Sequence, residues 1–351
     1  MKAEADERQY GPQCLTRREL LKRLACGGLA ASGVGTVLTA CEPAPIDARE
    51  TENDEEVDEA PSYRLPTSEG CWRPDAVHEG SAPSGEGRVE IEGVGSFSFR
   101  AEQVRRQRPD IFREEHFSLF DVLVHLSERG DIELKYHFDA GMATHVIDSL
   151  NGESRWWHNA HYAAGWFEPN VFRMDLYPYK DNTRFRLDKE REDRIAAIHD
   201  EFRNEVQRLD QNGGQVVIPD VRIRSPNGRI SFDDVAVTAH DVRSDVLQPG
   251  VITALDALIS LAEQGALPGL ELTWYERIAG AEPVDSYWVE ELNGNVAVGG
   301  CGFVYETGPR SFAGFSGTHI HIPADVRVTV SPDYALWFWI CLGPGTGGLL
   351  P

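Results

Sequence analysis

Two histidine pairs in this chain have spacings at which imidazoles can share a metal ion. His158-Asn-Ala-His161 follows Trp156-Trp157 and is followed by Tyr162 and Trp166-Phe167, the densest polar and aromatic cluster of the N-terminal half. Two imidazoles there can hold Zn²⁺ or Cu²⁺, with a third ligand drawn from His137 or His145. The Trp and Tyr rings can instead line a pocket for a flat or sugar-like ligand. The same residues also suit a polar loop packed by aromatics. His319-Ile-His321 has period two, which places both rings on one face of a strand. That geometry is better for a metal, and it is equally that of a solvated strand face.

No Gly-rich phosphate loop, Gly-x-Ser-x-Gly or His-Glu-x-x-His occurs, and these are the patterns that would announce nucleotide, acyl-transfer or zinc-hydrolase chemistry. Acidic residues are too abundant for any one pair to be singled out for acid–base work. Enzymatic activity therefore has no positive sign. A transition metal on the histidines remains the one cofactor with residues to support it.

The formal net charge is -23, and Lys is rare beside Arg. Such acidity argues against nucleic acid as a partner, since phosphate backbones are held by basic side chains. A length of 351 residues, 41% of them hydrophobic, suffices for two ordinary domains with tails.

The first residues read as an address. Thr16-Arg17-Arg18-Glu19-Leu20-Leu21-Lys22 precedes a Gly- and Ala-rich apolar run, Leu24 to Ala40, too short and too glycine-rich for a comfortable span. The Arg17-Arg18 pair, with the hydrophobic pair and Lys that follow, resembles the twin-arginine export consensus. Leu38-Thr39-Ala40-Cys41 resembles the lipobox of bacterial lipoproteins. That resemblance implies cleavage before Cys41, lipid on its sulfur, and anchoring to the outer face of the cytoplasmic membrane or to the outer membrane without a spanning helix. Residues 42–84 follow as a tether, acidic and nearly free of apolar side chains to about Ala60, then rich in Pro, Gly and Ser. With Cys14 and Cys26 in the signal and Cys41 lipidated, Cys71, Cys301 and Cys341 remain. Export to an oxidising compartment, and the apolar strand-like surroundings of both, predict a Cys301–Cys341 disulfide.

The chain states one pattern twice. Setting Asp121 on Asp256 brings Leu123, Leu126, Glu128 and Gly130 onto Leu258, Leu261, Glu263 and Gly265 without a gap, a sign of duplication. Downstream, His145–Gly152 and Tyr287–Gly294 both end in Leu-Asn-Gly. A third echo sets Asp181–Leu187 against Ala324–Val330, both alternating as half-buried strands do.

Each half reads as a hairpin, a helix and further strands. Arg88 to Phe99 is the first hairpin, followed by a helix from Ser118 to Gly130. Strand-like runs follow at 132–138, 143–150 and 172–187. Asp188 to Asn212 is an amphipathic helix whose stripe of Ile195, Ile198, Phe202, Val206 and Leu209 favours docking on a domain surface. In the second half, the hairpin turns at Pro226-Asn-Gly228, the helix spans 253–264, and runs at 270–274, 287–292, 301–305, 318–322, 326–330 and 335–342 supply strands. The fold class is α+β.

A hairpin, one helix over a mixed sheet, a Leu-Asn-Gly element and a late strand carrying Asn182-x-Arg184 or Asp325-x-Arg327 resemble the β-grasp domains related to the C-terminal domain of transcobalamin. The resemblance implies two tandem β-grasp-like domains, 85–187 and 215–351, joined by the helix at 188–214 and preceded by the signal (1–41) and tether (42–84). It also implies a small-ligand or interaction module, and it carries over no catalytic residue. The expected contacts are Trp156, Trp157, Tyr162 and Trp166 in the first copy, and Phe303 and Tyr305 in the second. Three functions stand open. They are a lipoprotein binding a small molecule or a protein partner, a metal enzyme or redox accessory built on His158, His161, His319 and His321, and a structural or adhesive lipoprotein with those tryptophans buried.

Overall fold

Alternating burial starts the first sheet. In β2 (Glu86–Ile91) every second residue is buried, so Val89 and Ile91 point into the core while Glu86, Arg88 and Glu90 face outward. The computed structural model describes residues 62–64, 78–162, 170–267, 269–277, 283–314, 317–318 and 322–341. All of these lie in one compact unit, Asp58–Pro351.

Strand β2 pairs antiparallel with β3 (Gly95–Arg100) and parallel with β7 (Arg184–Lys189), which pairs antiparallel with β6 (Trp156–His161). The order is β3-β2-β7-β6. Helix α1 (Leu119–Arg129) starts at Ser118, whose hydroxyl and the Asp121 carboxylate form a capping box, and ends at Gly130 in the left-handed region, φ 82°. Its buried Leu119, Phe120, Leu123 and Leu126 join Val89, Ile91, Phe185 and Leu187 in one core. The hairpin β4 (Leu134–Asp139) with β5 (Thr144–Leu150) follows α1.

The C-terminal half repeats order and sense. Strand β8 (Val216–Ser225) pairs antiparallel with β9 (Gly228–Val237) and parallel with β14 (Tyr334–Cys341), which pairs antiparallel with β13 (Cys301–Gly308). Helix α3 (Ala254–Glu263) carries the same capping box on Thr253 and Asp256. The hairpin β10 (Leu270–Arg277) with β11 (Pro283–Leu292) then matches β4–β5, with a short strand β12 (Asn295–Val296) added at its edge. Both Leu-Asn-Gly elements are turns with φ of 51° and 81° at Asn151-Gly152 and 53° and 74° at Asn293-Gly294, the sign that a two-residue hairpin turn needs.

The halves also meet symmetrically. Arg113 N–H donates to Val246 O at 2.9 Å and Gln248 N–H to Ile111 O at 2.8 Å, around the bridge Phe112↔Leu247. Each donor and acceptor of one half thus has its counterpart in the other. Helix α2 (Glu192–Gln211) lies between the two sheets in sequence and buries Ile198, Phe202 and Glu205.

Several expectations need correction. The segment around Trp156 and His158 is strand β6, not a loop. Residues 324–330 form a turn and an isolated bridge rather than a strand, and Arg327, not a strand residue, accepts the first amide of α3 through its carbonyl, as Tyr177 does for α1. The structural counterpart of β7 is therefore β14. Ser62–Arg64, read as linker, pairs with β10 as strand β1. The Cys301–Cys341 disulfide joins β13 to β14 at the residues that face each other in register.

Candidate functional site

Strand period two decides what the aromatic cluster can do. In β6, Trp156 and Ala160 belong to the core under α1, whereas Trp157 belongs to a second cluster with Met142, Val171, Ile198 and Phe202 under α2. His158 and His161, three residues apart on this strand, point to opposite faces and do not converge on one ion. Among the described residues no group of three His, Cys, Asp or Glu is placed to hold a metal. His319 and His321 lie outside the described residues, as do Trp166, Cys41, Arg17 and Arg18.

His158 is fully buried, and neither ring nitrogen has a hydrogen-bond partner among the described residues. Burial, reinforced by the Arg327 charge, lowers its pKa from 6.5 to about 3. His116 is lowered to about 4, again chiefly by burial. Both rings fold neutral, so their contribution is intact above pH 6.5 and is lost as the unfolded chain, but not the folded one, takes up protons. Stability should fall between pH 6.5 and 4 by up to about 1.4 kcal/mol per pH unit for each ring. His158→Leu should make that slope shallower in urea melts taken across this range. An unchanged slope would remove His158 from the account.

Trp156 and Trp157 line a groove of about 250 Å³ between β5, β6 and α2. Val146 and Ile147 form one wall, Ile195 and Ala196 the other, and His145, Arg155 and His199 supply polar edges. Trp157 is fixed by its indole N–H, which donates to Asn170 O at 2.5 Å. Trp156 donates to Glu153 O at 2.8 Å and carries the Lys189 ammonium 3.7 Å from its ring centre. Arg155 enters β6 at φ 68°, and it and Ala143 alone among the described non-glycine residues at positive φ are neither Asn nor Asp. Left-handed backbone costs such a residue about 1–2 kcal/mol, so the rim of the groove holds strain. His199, on α2, has its pKa lowered by burial and by the Arg203 charge.

One side of the groove is anchored by a buried carboxylate. Asp175 accepts from Thr144 Oγ1 at 2.5 Å, from His145 N–H and Nδ1 at 3.0 Å each, and from Arg108 Nη1 at 3.0 Å. Burial opposes its charge, yet the His145 hydrogen bond and the Arg108 charge hold its pKa below the usual carboxylate range. The C-terminal half contains the same cage. Asp325 accepts from Ser286 Oγ at 2.6 Å, Tyr287 N–H at 3.0 Å and Arg243 Nη1 at 3.1 Å. Arg108 also lies over Phe138 and Arg243 over Trp274. A repeated cage is a structural device, and His145 takes the place that Tyr287 has in the other copy, its ring packed edge-on to Phe138 at 5.1 Å as Tyr287 is to Trp274 at 5.0 Å, and stacked on Phe120. The groove offers apolar walls with Arg155, Glu192 and His199 at its edges. Its only lining hydroxyl among the described residues, that of Thr144, is spent on Asp175.

The other side is held by Arg173. Its Nε donates to Met142 O at 2.8 Å, Nη2 to Phe202 O at 3.1 Å, and Nη1 to the Glu205 carboxylate. The guanidinium lies 4.2 Å over the Phe202 ring. This buried cluster ties α2 to the N-terminal half and sets the width of the groove.

Of the other expected contacts, Tyr162 is buried in the first core, and Phe303 and Tyr305 in the core of the C-terminal half, with Tyr305 donating to Ile322 O at 2.7 Å. None of the three lines this groove. Sequence reasoning missed Arg155, Arg173 and His199. The stripe read on α2 was the available signal, because a helix docked beside β6 must form a cleft where small Ala196 faces it. No protein-family model, curated protein or solved structure matches this chain.

Proposed function

We propose that the chain is an exported lipoprotein, held to a membrane surface by lipid on Cys41, whose folded part is a small-ligand binding module of two β-grasp domains. The repeated sheet order, with a helix after the first hairpin and the last strand parallel to the first, supports the β-grasp reading and a duplication. The Arg17-Arg18 and Leu38–Cys41 motifs support export and lipidation. No helix among the described residues is long and apolar enough to cross a membrane. Cys41→Ser should move the protein from the membrane fraction to the soluble one, and retention at the membrane would count against it.

The observation that carries the binding function is the tryptophan groove. Its walls are apolar, and Arg155, Glu192 and His199 stand at its edges, so it suits a small, flat and mainly apolar molecule with one polar end. The neutral fluorescent probe N-phenyl-1-naphthylamine should bind saturably. Ala196 is exposed on α2, so Ala196→Trp can fill the groove without disturbing the core, and it should abolish the probe signal with melting temperature unchanged. Equal probe binding by both proteins would place the site elsewhere.

A further inference from the structure

The outward faces of the two sheets differ where their backbones agree. In the N-terminal sheet, Glu90 of β2 is in register with Arg186 of β7, and Arg186 also bonds Asp188 at 2.5 Å. That face carries its own counter-charges. In the C-terminal sheet, the matching strands set Arg222 beside Leu336 and Arg224 beside Phe338. Arg224 then lies directly across from Arg229 of β9, and like charges in that position repel.

These arginines line a groove of about 660 Å³ together with Arg310, Tyr334, Phe338 and Trp339. Arg222 and Arg310 share one carboxylate, Asp220, with Arg222 Nη2 at 2.7 Å. Glu306 at the floor is engaged by Gly314 N–H at 2.8 Å, Thr318 Oγ1 at 3.1 Å and the Tyr334 hydroxyl. Arg224 and Arg229 have no carboxylate partner among the described residues. A chain of net charge -23 has thus gathered four guanidiniums in one groove and left two of them uncompensated.

We propose that this groove is a second ligand site, distinct from the tryptophan groove, which takes a small organic oxyanion, a phosphate monoester or a carboxylic acid bearing a flat apolar body. Guanidinium forks match the paired oxygens of such groups. The pair Arg224 and Arg229 clamps the anionic head, and Phe338 and Tyr334 face the body. Binding relieves the repulsion between the two arginines, so the site is stabilised when filled.

The test uses 1-naphthyl phosphate as probe, titrated calorimetrically into the folded chain, with 1-naphthol as the uncharged control. The expected result is saturable binding of the phosphate that weakens with salt, at least tenfold weaker binding in Arg224→Ala/Arg229→Ala, and unaltered binding in Ala196→Trp. Both arginines are exposed, and the ligand-free double variant should melt at or above the temperature of the parent. Undiminished affinity in the double variant, equal affinity for 1-naphthol, or no saturation at millimolar probe would each overturn the proposal.

Discussion

Asp325→Ala should destabilise the fold by about 3–5 kcal/mol, the usual result of deleting one partner of a buried ion pair. Asp325 is 0% exposed and Arg243 3%. Removing the carboxylate strands the Ser286 hydroxyl, the Tyr287 amide and one arm of Arg243 at once, and each buried donor left unmet carries its own desolvation cost. Asp245, 2.8 Å from Arg243 Nη2, still neutralises part of the charge, which favours the lower end of that range. Asp325→Asn keeps the shape and one acceptor, and should cost less. Urea unfolding followed by tryptophan fluorescence gives both values. A loss below about 1 kcal/mol, the level of an exposed pair, would mean that the cage does not hold the C-terminal half together.

The second large effect is expected at Glu205→Ala, about 3–5 kcal/mol for the same physical reason. Arg173 is 3% exposed and Glu205 6%. The variant leaves the guanidinium with carbonyl acceptors and the Phe202 ring but no counter-charge. Alanine is the better helix former, so a loss cannot be ascribed to α2 itself and must come from its docking. Because Arg173 and Phe202 also line the tryptophan groove, naphthylamine binding should weaken in parallel. Full stability with weakened binding would separate the two roles.

Part of this architecture is legible in the amino-acid order because local physics sets it. The capping boxes at Ser118 and Thr253, the Leu stripes of α1 and α3, and the Leu-Asn-Gly turns are all short-range features, and each recurs at its counterpart. Their shared offset identifies the repeated plan before any coordinate is known. The Cys301–Cys341 pair was legible from compartment and surroundings. By contrast, β6 reads as an aromatic loop because its flanks, Arg155 at positive φ and the bulky Trp pair, hide the alternation that the sheet imposes. Segment 324–330 alternates like a strand, yet its job is to present the Arg327 carbonyl to α3 and the Asp325 carboxylate to Arg243. Those are long-range demands that periodicity does not carry.

The sites show the same division. Trp156 and Trp157 are legible by type, and both are buried in core clusters, as the structural reading expects. They also border a groove whose other wall comes from α2, about forty residues along the chain. Tyr162, Phe303 and Tyr305 were picked by the same rule, and packing assigns them to cores. The arginine groove had a visible signal, Arg222-x-Arg224 and Arg229 around a turn already recognised at Pro226-Asn-Gly228. Period two across that hairpin puts all three on one face. What the order of residues could not supply was the apolar neighbour, β14, which reaches β8 only through the parallel closure of the sheet.

The most direct test of the binding function is to follow the Trp indole N–H resonances by nuclear magnetic resonance while N-phenyl-1-naphthylamine is added. The expected result is a saturable shift confined to Trp156 and Trp157, with Trp337 of the second core unmoved and with all shifts absent in Ala196→Trp. Shifts at Trp337 or Trp339 with Trp156 and Trp157 unmoved would contradict the assignment of the groove as the ligand site.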